Sequence, residues 1–489
     1  MSNFLSELAS GIVGSPATAA LALVTLLAAL GTVTLAVAFH TRRQIRHLLL
    51  VGLAVTMPIM TPMLVQSQKS AFFAMNLSVA DLLVLPAILY LLLSLLQGNG
   101  KTLRLPLFWL FLAYLLWAAV SIAIGSSKLG LEIVRLANLV SLLKIAVLYV
   151  YLYLVLNLVD SLEDLRIFLK AWILTGTVEG LIGSGGALLY QIFRIQNFAA
   201  GDFRAMGTMG NPNMFAGYIT TTFFFTYLQI ALGGSRRFYV PCMITHGAAI
   251  LLSASKGSVA AFLVGSVTLL LFLPHHRKKI VSVGATALLA TAMLYAASEE
   301  IRVYVDRILS IADFQDKSHE RRFALWGESL NIWQENALFG VGLGNFSEAS
   351  SKEAIVPEGA GTKWAAAGLG QAERQLGVAH STYLNVLCET GLPGLVLFLA
   401  IFLYFVFLLL ARLLKAPPSD PHLPFHAAFL AAVMSWLAHA GVANVENSRT
   451  LWAALGLILA FEWKILPAGF PRPSVNQPDQ VPLDSVTKM

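Results

Sequence analysis

The sequence predicts an all-α fold, a polytopic transmembrane helix bundle of about 12–14 spans with one large extracytoplasmic loop. Three observations predict it. Hydrophobic residues make up 57% of the chain, charged residues only 12%, and the mean hydropathy is +0.73, so the solvent for most of the protein is lipid. Apolar runs long enough to cross a hydrocarbon core recur along the chain. The basic residues behind the net charge of +7 lie in short clusters between those runs, a pattern that orients a membrane protein and builds no nucleic-acid face.

The runs fall at 16–39, 48–65, 79–96, 105–125, 139–159, 167–189, 213–232, 238–254, 258–273, 280–297, 391–411, 425–443 and 450–466. Glu7 and the lack of a basic segment before the first run argue against a cleaved signal peptide, so that run is expected to stay as a helix. With this count the basic segments HTRRQIRH (40–47), GKTLR (100–104), GSRRF (234–238), HHRKK (275–279) and RLLK (412–415) all fall on one side, the cytoplasmic one. The amino terminus is then outside and the carboxyl terminus inside. The external connections are 66–78, 126–138, 190–212, 255–257, 298–390 and 444–449.

Four stretches follow: amino-terminal membrane helices over 1–297, an extracytoplasmic loop over 298–390, carboxyl-terminal membrane helices over 391–466, and a proline-rich, disordered cytoplasmic tail over 467–489. Within the loop, Phe323, Trp326, Leu330 and Trp333 recur at helical spacing and predict an amphipathic helix. The run GVGLGNF (340–346) breaks the helical pattern, and AGTKWAAAGLGQ (360–371) has the composition of a flexible segment. No strand precedes Gly340, Gly342 and Gly344 and no GK[ST] follows, so nucleotide binding is rejected. Cys242 and Cys388 have no metal-ligand spacing, and neither a disulfide framework nor a zinc site is expected.

Three external motifs carry polar chemistry. In GVAHSTYLNVLCETGLPGL (377–395), His380 sits at the membrane surface, just before a short helix and a span starting at Gly391 and Pro393; a neutral imidazole there can take a proton from an attacking hydroxyl. In RAMGTMGNPNMFAGY (204–218), Arg204 precedes a helix start at Asn211, Pro212 and Asn213, and guanidinium and helix-start N–H groups both favour phosphate. In LLSASKGSVAAF (251–262), Lys256 occupies a tight external turn on the same side. Each has a structural alternative: a loop-anchoring histidine, an arginine snorkelling to headgroups, a turn lysine in water. Arg321 and Arg322 open the external helix and add positive charge. Glu179 lies mid-span, where an ionisable group faces the bundle interior or a cavity, paired with a cation or held neutral; His246 and His439 are read as packing residues.

These motifs, in this order and topology, resemble the O-antigen ligase and O-antigen polymerase (Wzy-type) superfamily of bacterial envelope glycosyltransferases. The resemblance runs from about Asp81 in SVADLLVLP to Leu395 and includes RRFALWGESLNIWQENALFGVGLGNF (321–346). It implies a GT-C-type fold in the bacterial inner (cytoplasmic) membrane with its site facing the periplasm, and transfer of a glycan from undecaprenyl pyrophosphate to an acceptor hydroxyl. Arg204 matches the arginine of the family's RxxG…PN loop and His380 its loop histidine. Ser255-Lys256-Gly257 stands where the family carries serine-arginine-glycine, so Lys256 would supply charge without a bidentate fork.

The implied mechanism is inverting and independent of metal and of any cofactor. Arg204, Lys256, Arg321 and Arg322 would stabilise the departing pyrophosphate, and His380 would deprotonate the acceptor. The partners are the lipid-linked glycan, a lipid A-core or other glycan acceptor and membrane lipids, with no nucleic acid. Trp326, Trp333 and Trp364 would stack on sugars or simply pack. The single long loop late in the chain tips the reading to ligase over polymerase. A lipid-linked oligosaccharide flippase has little need of that histidine loop, and a metal-dependent oligosaccharyltransferase would need acidic ligands that 66–78 lacks.

Overall fold

The computed structural model of the chain describes residues 42–60, 78–96, 103–133, 135–193, 203–310, 313, 317–353 and 378–468. The expected first span at 16–39, the segment 360–371 with Trp364, and the tail from 469 onward lie outside the described residues. Every apolar run from 48–65 onward overlaps a described helix, and the only β pairing among the described residues is an isolated bridge between Met60 and Ser78.

The helices are α1 (Arg42–Thr56), α2 (Asp81–Leu96), α3 (Phe108–Lys128), α4 (Leu136–Leu158), α5 (Leu162–Phe193), α6 (Pro212–Ala231), α7 (Arg236–Leu252) and α8 (Lys256–Phe272). They continue as α9 (Arg277–Ala297), α10 (Glu299–Leu309), α11 (Lys317–Glu335), α12 (Phe346–Glu353), α13 (Thr382–Lys415), α14 (Leu423–Ala440) and α15 (Arg449–Ala460). By length and apolarity alone, α3, α4, α13, α14 and the 280–297 part of α9 are able to cross a membrane; α2 and α8 are shorter apolar helices. Chain direction alternates because short turns join neighbours. Hydroxyls inside the bundle are satisfied locally, as where Thr220, Thr222 and Thr226 bond back to carbonyls four residues earlier.

The basic clusters gather at one end. Arg46 meets Asp160 and Asp164, His47 meets Asp164, Lys464 meets Asp160 and Arg412 meets Glu462, all at 2.8–3.1 Å, and Arg43 pairs with Glu163. The clusters at 234–238 and 275–279 lie in the α6–α7 and α8–α9 turns, which alternation puts at that same end. Arg204, Lys256 and His380 lie in the connections at the opposite end.

α13 carries a break where its sequence demands one. Gly391 adopts φ 70°, ψ −177°, two residues before Pro393, and a side chain there would collide with the carbonyl of Leu338. Into this break docks the 338–346 segment: Val341 and Gly342 donate N–H groups to the carbonyls of Cys388 and Glu389, and Leu392 donates to Ala337, each at 2.9 Å. Gly340, Gly342 and Gly344 all have positive φ, which lets the segment thread between α3, α4 and α13. Asn345 holds the centre, donating to Ser126 Oγ and Val341 O and accepting from Asn138 Nδ2.

The helix expected from the spacing of Phe323, Trp326, Leu330 and Trp333 is α11. The buried side is Leu325, Ser329 and Ile332, which faces α13, while Phe323 and Leu330 are exposed at 44% and 40%. The helix thus turns a narrow mixed face to the protein and leaves Phe323 and Leu330 outward. It begins at Lys317, which puts Arg321 and Arg322 one turn into the helix.

One ion pair ties the first described helices to the last. Arg449, at the start of α15, grips Asp81 at the start of α2 through two bonds of 2.8 and 2.6 Å, and Tyr151 donates to the same carboxylate. Asp81 also accepts the N–H of Ser78 and so caps its own helix. Asp81→Ala would leave a 6% exposed guanidinium without its anion, an effect of about 3–5 kcal/mol. Thermal unfolding in detergent should show a clear fall in Tm for that variant, and a smaller one for a double variant with apolar residues at both positions; equal losses would contradict the assignment.

Candidate active site

The segment before α6 is folded around two anchors. Gly207 and Gly210, both with positive φ, turn residues 207–209 into a single tight helical turn that brings Thr208 onto Glu179 of α5. Glu179 is 3% exposed and accepts from the Thr208 N–H at 2.9 Å and its hydroxyl at 2.5 Å. Its described hydrogen bonds come from a loop rather than from a cation, so its role is to latch that loop. The second anchor is backbone pairing of Ala205 N–H with the carbonyl of Leu252 at 2.9 Å. Next to the second anchor Arg204 is held half-buried, Nε donating to Ser253 O at 2.8 Å and a terminal nitrogen to Asn213 Oδ1 at 3.0 Å.

From Asn213 the polar contacts continue without interruption. Ser255 Oγ donates to the same Asn213 oxygen at 2.8 Å and meets Ser258 Oγ at 2.9 Å, and Ser258 Oγ meets His439 Nε2 at 3.1 Å. Ser255 also caps α8, and Asn211 caps α6 by accepting from the N–H groups of Asn213 and Met214. Lys256 is the first residue of α8 and only 7% exposed; its Nζ reaches Ser310 O at 3.3 Å, at the end of α10. The alternative of a turn lysine in water is thereby set aside. α6, α8, α13 and α15 all begin at this end, and their positive dipole ends favour an anion there.

His380 occupies the left-handed region, φ 52°, a costly conformation for a residue with a Cβ. Its neighbours hold it there. The Ala379 N–H is accepted by Asn385 Oδ1 at 3.2 Å, Ser381 caps α13, the Thr382 N–H meets Ala443 O and the Thr382 hydroxyl donates to Glu446 at 2.7 Å. The segment that receives these bonds follows His439 and also touches α8, since a side chain at Gly257 would collide with Val442. Arg204, Lys256 and His380 therefore share one end of the bundle and one connected scaffold. Burial lowers the pKa of the His380 imidazole below its ordinary 6.5, and the positive charge of Arg322 lowers it further. The side chain of Arg321 lies outside the described residues.

The structure adds groups that sequence reasoning missed. Arg307 of α10 lies over the ring of Phe203, 5.9 Å from its centroid, beside Arg204. His439, read as packing, is part of the chain of contacts from Arg204, whereas His246 is indeed a satisfied internal residue, bonded by Thr177 and Thr226. A cavity of about 470 Å³ opens between α3, α4, α13 and α15, lined in part by Lys144, Asn385, Glu389 and Glu446. Lys144 lies within an expected span, so the argument that singled out Glu179 applied equally to it. Asn385 and Glu389 are four residues apart on α13, a spacing that puts both on one face. Among the described residues, no group of three or more His, Cys, Asp or Glu side chains is placed to share a metal ion.

Residues 241–399, from within α7 to the middle of α13, match the family model described as O-antigen ligase. Lys256, Arg322, His380 and Glu389 fall inside the match; Arg204, Glu179, Lys144 and Glu446 fall outside it. Comparison with curated proteins finds no match.

Because Arg322 acts on His380 through charge, its neutralisation has a definite sign. Modification of His380 by diethyl pyrocarbonate, which needs the neutral imidazole, should show a midpoint below pH 6.5 in the native chain and a higher one in Arg322→Gln. An unmoved midpoint would remove Arg322 from the environment of His380.

Proposed function

From a chain that belongs to the O-antigen ligase and polymerase superfamily, we propose a membrane glycosyltransferase of the inner membrane that moves a glycan from undecaprenyl pyrophosphate to an acceptor hydroxyl on the extracytoplasmic face. The observation that carries the reading is the gathering of Arg204, Lys256 and His380 at the one end of the bundle that lacks the basic clusters. By the excess of Lys and Arg in cytoplasmic connections, that end faces the periplasm.

The chemistry follows from the groups. Glycosyl transfer forms a bond between the acceptor oxygen and the anomeric carbon and breaks the bond from that carbon to the pyrophosphate oxygen. The leaving group gains negative charge as it departs. Arg204, held on one edge by Ser253 and Asn213, and Lys256, held by Ser310, are fixed cations that need no reorganisation to meet that charge. Arg322 adds to the same field. His380 takes the acceptor proton; its lowered pKa keeps it neutral and able to do so at neutral pH. Attack from the face opposite the leaving group inverts the anomeric centre. The step calls on no metal or other cofactor. Glu179 acts at a distance, by setting the loop that carries Arg204.

The acceptor assigned is lipid A-core, which makes the chain a ligase; a second lipid-linked glycan would make it a polymerase. Loss of the base should lower transfer by roughly 10²-fold or more in His380→Ala, with the lipid-linked donor accumulating. A flippase would keep moving its substrate in that variant, and unchanged transfer would end the assignment of His380. Incubation of purified protein with lipid-linked glycan and each acceptor in turn separates the remaining two readings, since chain growth from donor alone marks a polymerase.

A further inference from the structure

The cationic groups come from the segment before α6 and from α8 and α11, and none of these elements lines the 470 Å³ cavity. That cavity instead reaches the turn that carries His380, with Val378 and Asn385 in its lining. Asn385 serves both: its side chain lines the cavity while its oxygen accepts the N–H of Ala379, next to His380. The volume falls in the range that holds a small ligand, roughly 300–1,000 Å³, and is too small for a long prenyl chain.

The lining is divided by depth. Toward the outer end are Asn385 and Glu389 in the first turns of α13, Glu446 just before α15, and Lys144 two turns into α4. Deeper are the rings of Phe111, Phe398 and Trp452. Glu389, 4% exposed, accepts the N–H of Phe346, and Glu446 accepts from Thr382 and Asn444, so both carboxyl groups are oriented before anything binds. Carboxylate and amide oxygens that accept from hydroxyls, together with aromatic faces that take apolar ring C–H surface, are complementary to a sugar. One ammonium against two carboxyls leaves no surplus of positive charge, which a phosphorylated ligand would require.

We propose that this cavity is the binding site of the accepting sugar, and that it takes an uncharged glycan terminus bearing free hydroxyls in preference to a phosphorylated one. The inference rests on the transferase reading, because it supplies the acceptor side of that reaction. His380 then stands between a cationic donor side and a carboxylate-lined acceptor side.

Two arms test it on the full chain in nanodiscs. In the first, Val140→Trp, which fills the cavity, and Lys144→Gln, which removes its ammonium, are compared with the native chain in transfer assays. Both should raise the acceptor KM by at least ~10-fold more than the donor KM. In the second, Ser141→Cys places a thiol in the cavity lining, while native Cys242 and Cys388 are buried. Maleimide labelling at that thiol should be slowed by neutral methyl hexosides and N-acetylhexosaminides and left unchanged by the corresponding sugar phosphates. Equal changes in both KM values, no protection by any glycoside, or stronger protection by sugar phosphates would each overturn the proposal. A native chain that transfers to no acceptor would defeat the transferase reading alone, and the labelling arm would still decide what the cavity binds.

Discussion

A guanidinium can be drawn into a membrane bundle only where fixed acceptors meet its protons, and the placement of Arg204 by Ser253 and Asn213 is the interaction on which the rest of this end depends. An unmet buried donor would cost about 1–3 kcal/mol, and more for a charged group. The acceptors are supplied by helix starts. Asn213 belongs to α6 and Ser255 caps α8, so the contacts that hold the arginine also fix where two helices begin. Through Ser258 the chain reaches His439 of α14, and the residues just after it receive the start of α13. Moving the arginine thus means moving the scaffold of the histidine.

The break in α13 supplies the second constraint. A continuous helix would keep all its carbonyls for itself, whereas Gly391 and Pro393 release those near 388–390 to outside donors. The N–H groups of Val341 and Gly342, the hydroxyl of Ser121 and the indole of Trp117 take them up. This explains the glycine spacing in GVGLGNF without any phosphate: each positive φ lets backbone approach backbone where a side chain would collide. It also sets the two helical turns that present Asn385 and Glu389 to the cavity.

The sequence made the membrane helices legible because length and apolarity are local properties, and the start of α6 was legible at Asn211, which precedes Pro212 and an apolar run. Arg204, Lys256 and His380 were visible as polar residues in the external connections. What stayed hidden were partners distant in sequence. Glu179 stood out as a charge at depth, but nothing local identifies Thr208 as its partner, 29 residues on, and the Asp81–Arg449 pair spans 368 positions. Which side of α11 meets α13 was hidden for a related reason, since periodicity alone predicts the helix and does not say which of its residues will face the protein. The cavity was the least legible feature, since its carboxylates and its lysine come from three separate helices or turns.

The Arg322 charge raises a question of balance that the two-sided site answers. A cation near His380 weakens the imidazole as a base, because it opposes the charge that proton transfer creates. In glycosyl transfer that penalty is not constant through the reaction. In the proposed transfer, negative charge would accumulate among the same cations as the bond to the pyrophosphate lengthens, and would cancel their field at the imidazole. On that proposal the histidine would become a stronger base as the leaving group departs, and would accept the proton most readily when the acceptor oxygen is committed to the anomeric carbon. With Arg204, Lys256 and Arg322 on the proposed donor side, and the one ammonium of the cavity, Lys144, set against Glu389 and Glu446, the acceptor hydroxyl would not be acidified early, which would keep the proton in place until a glycan is in position to be transferred.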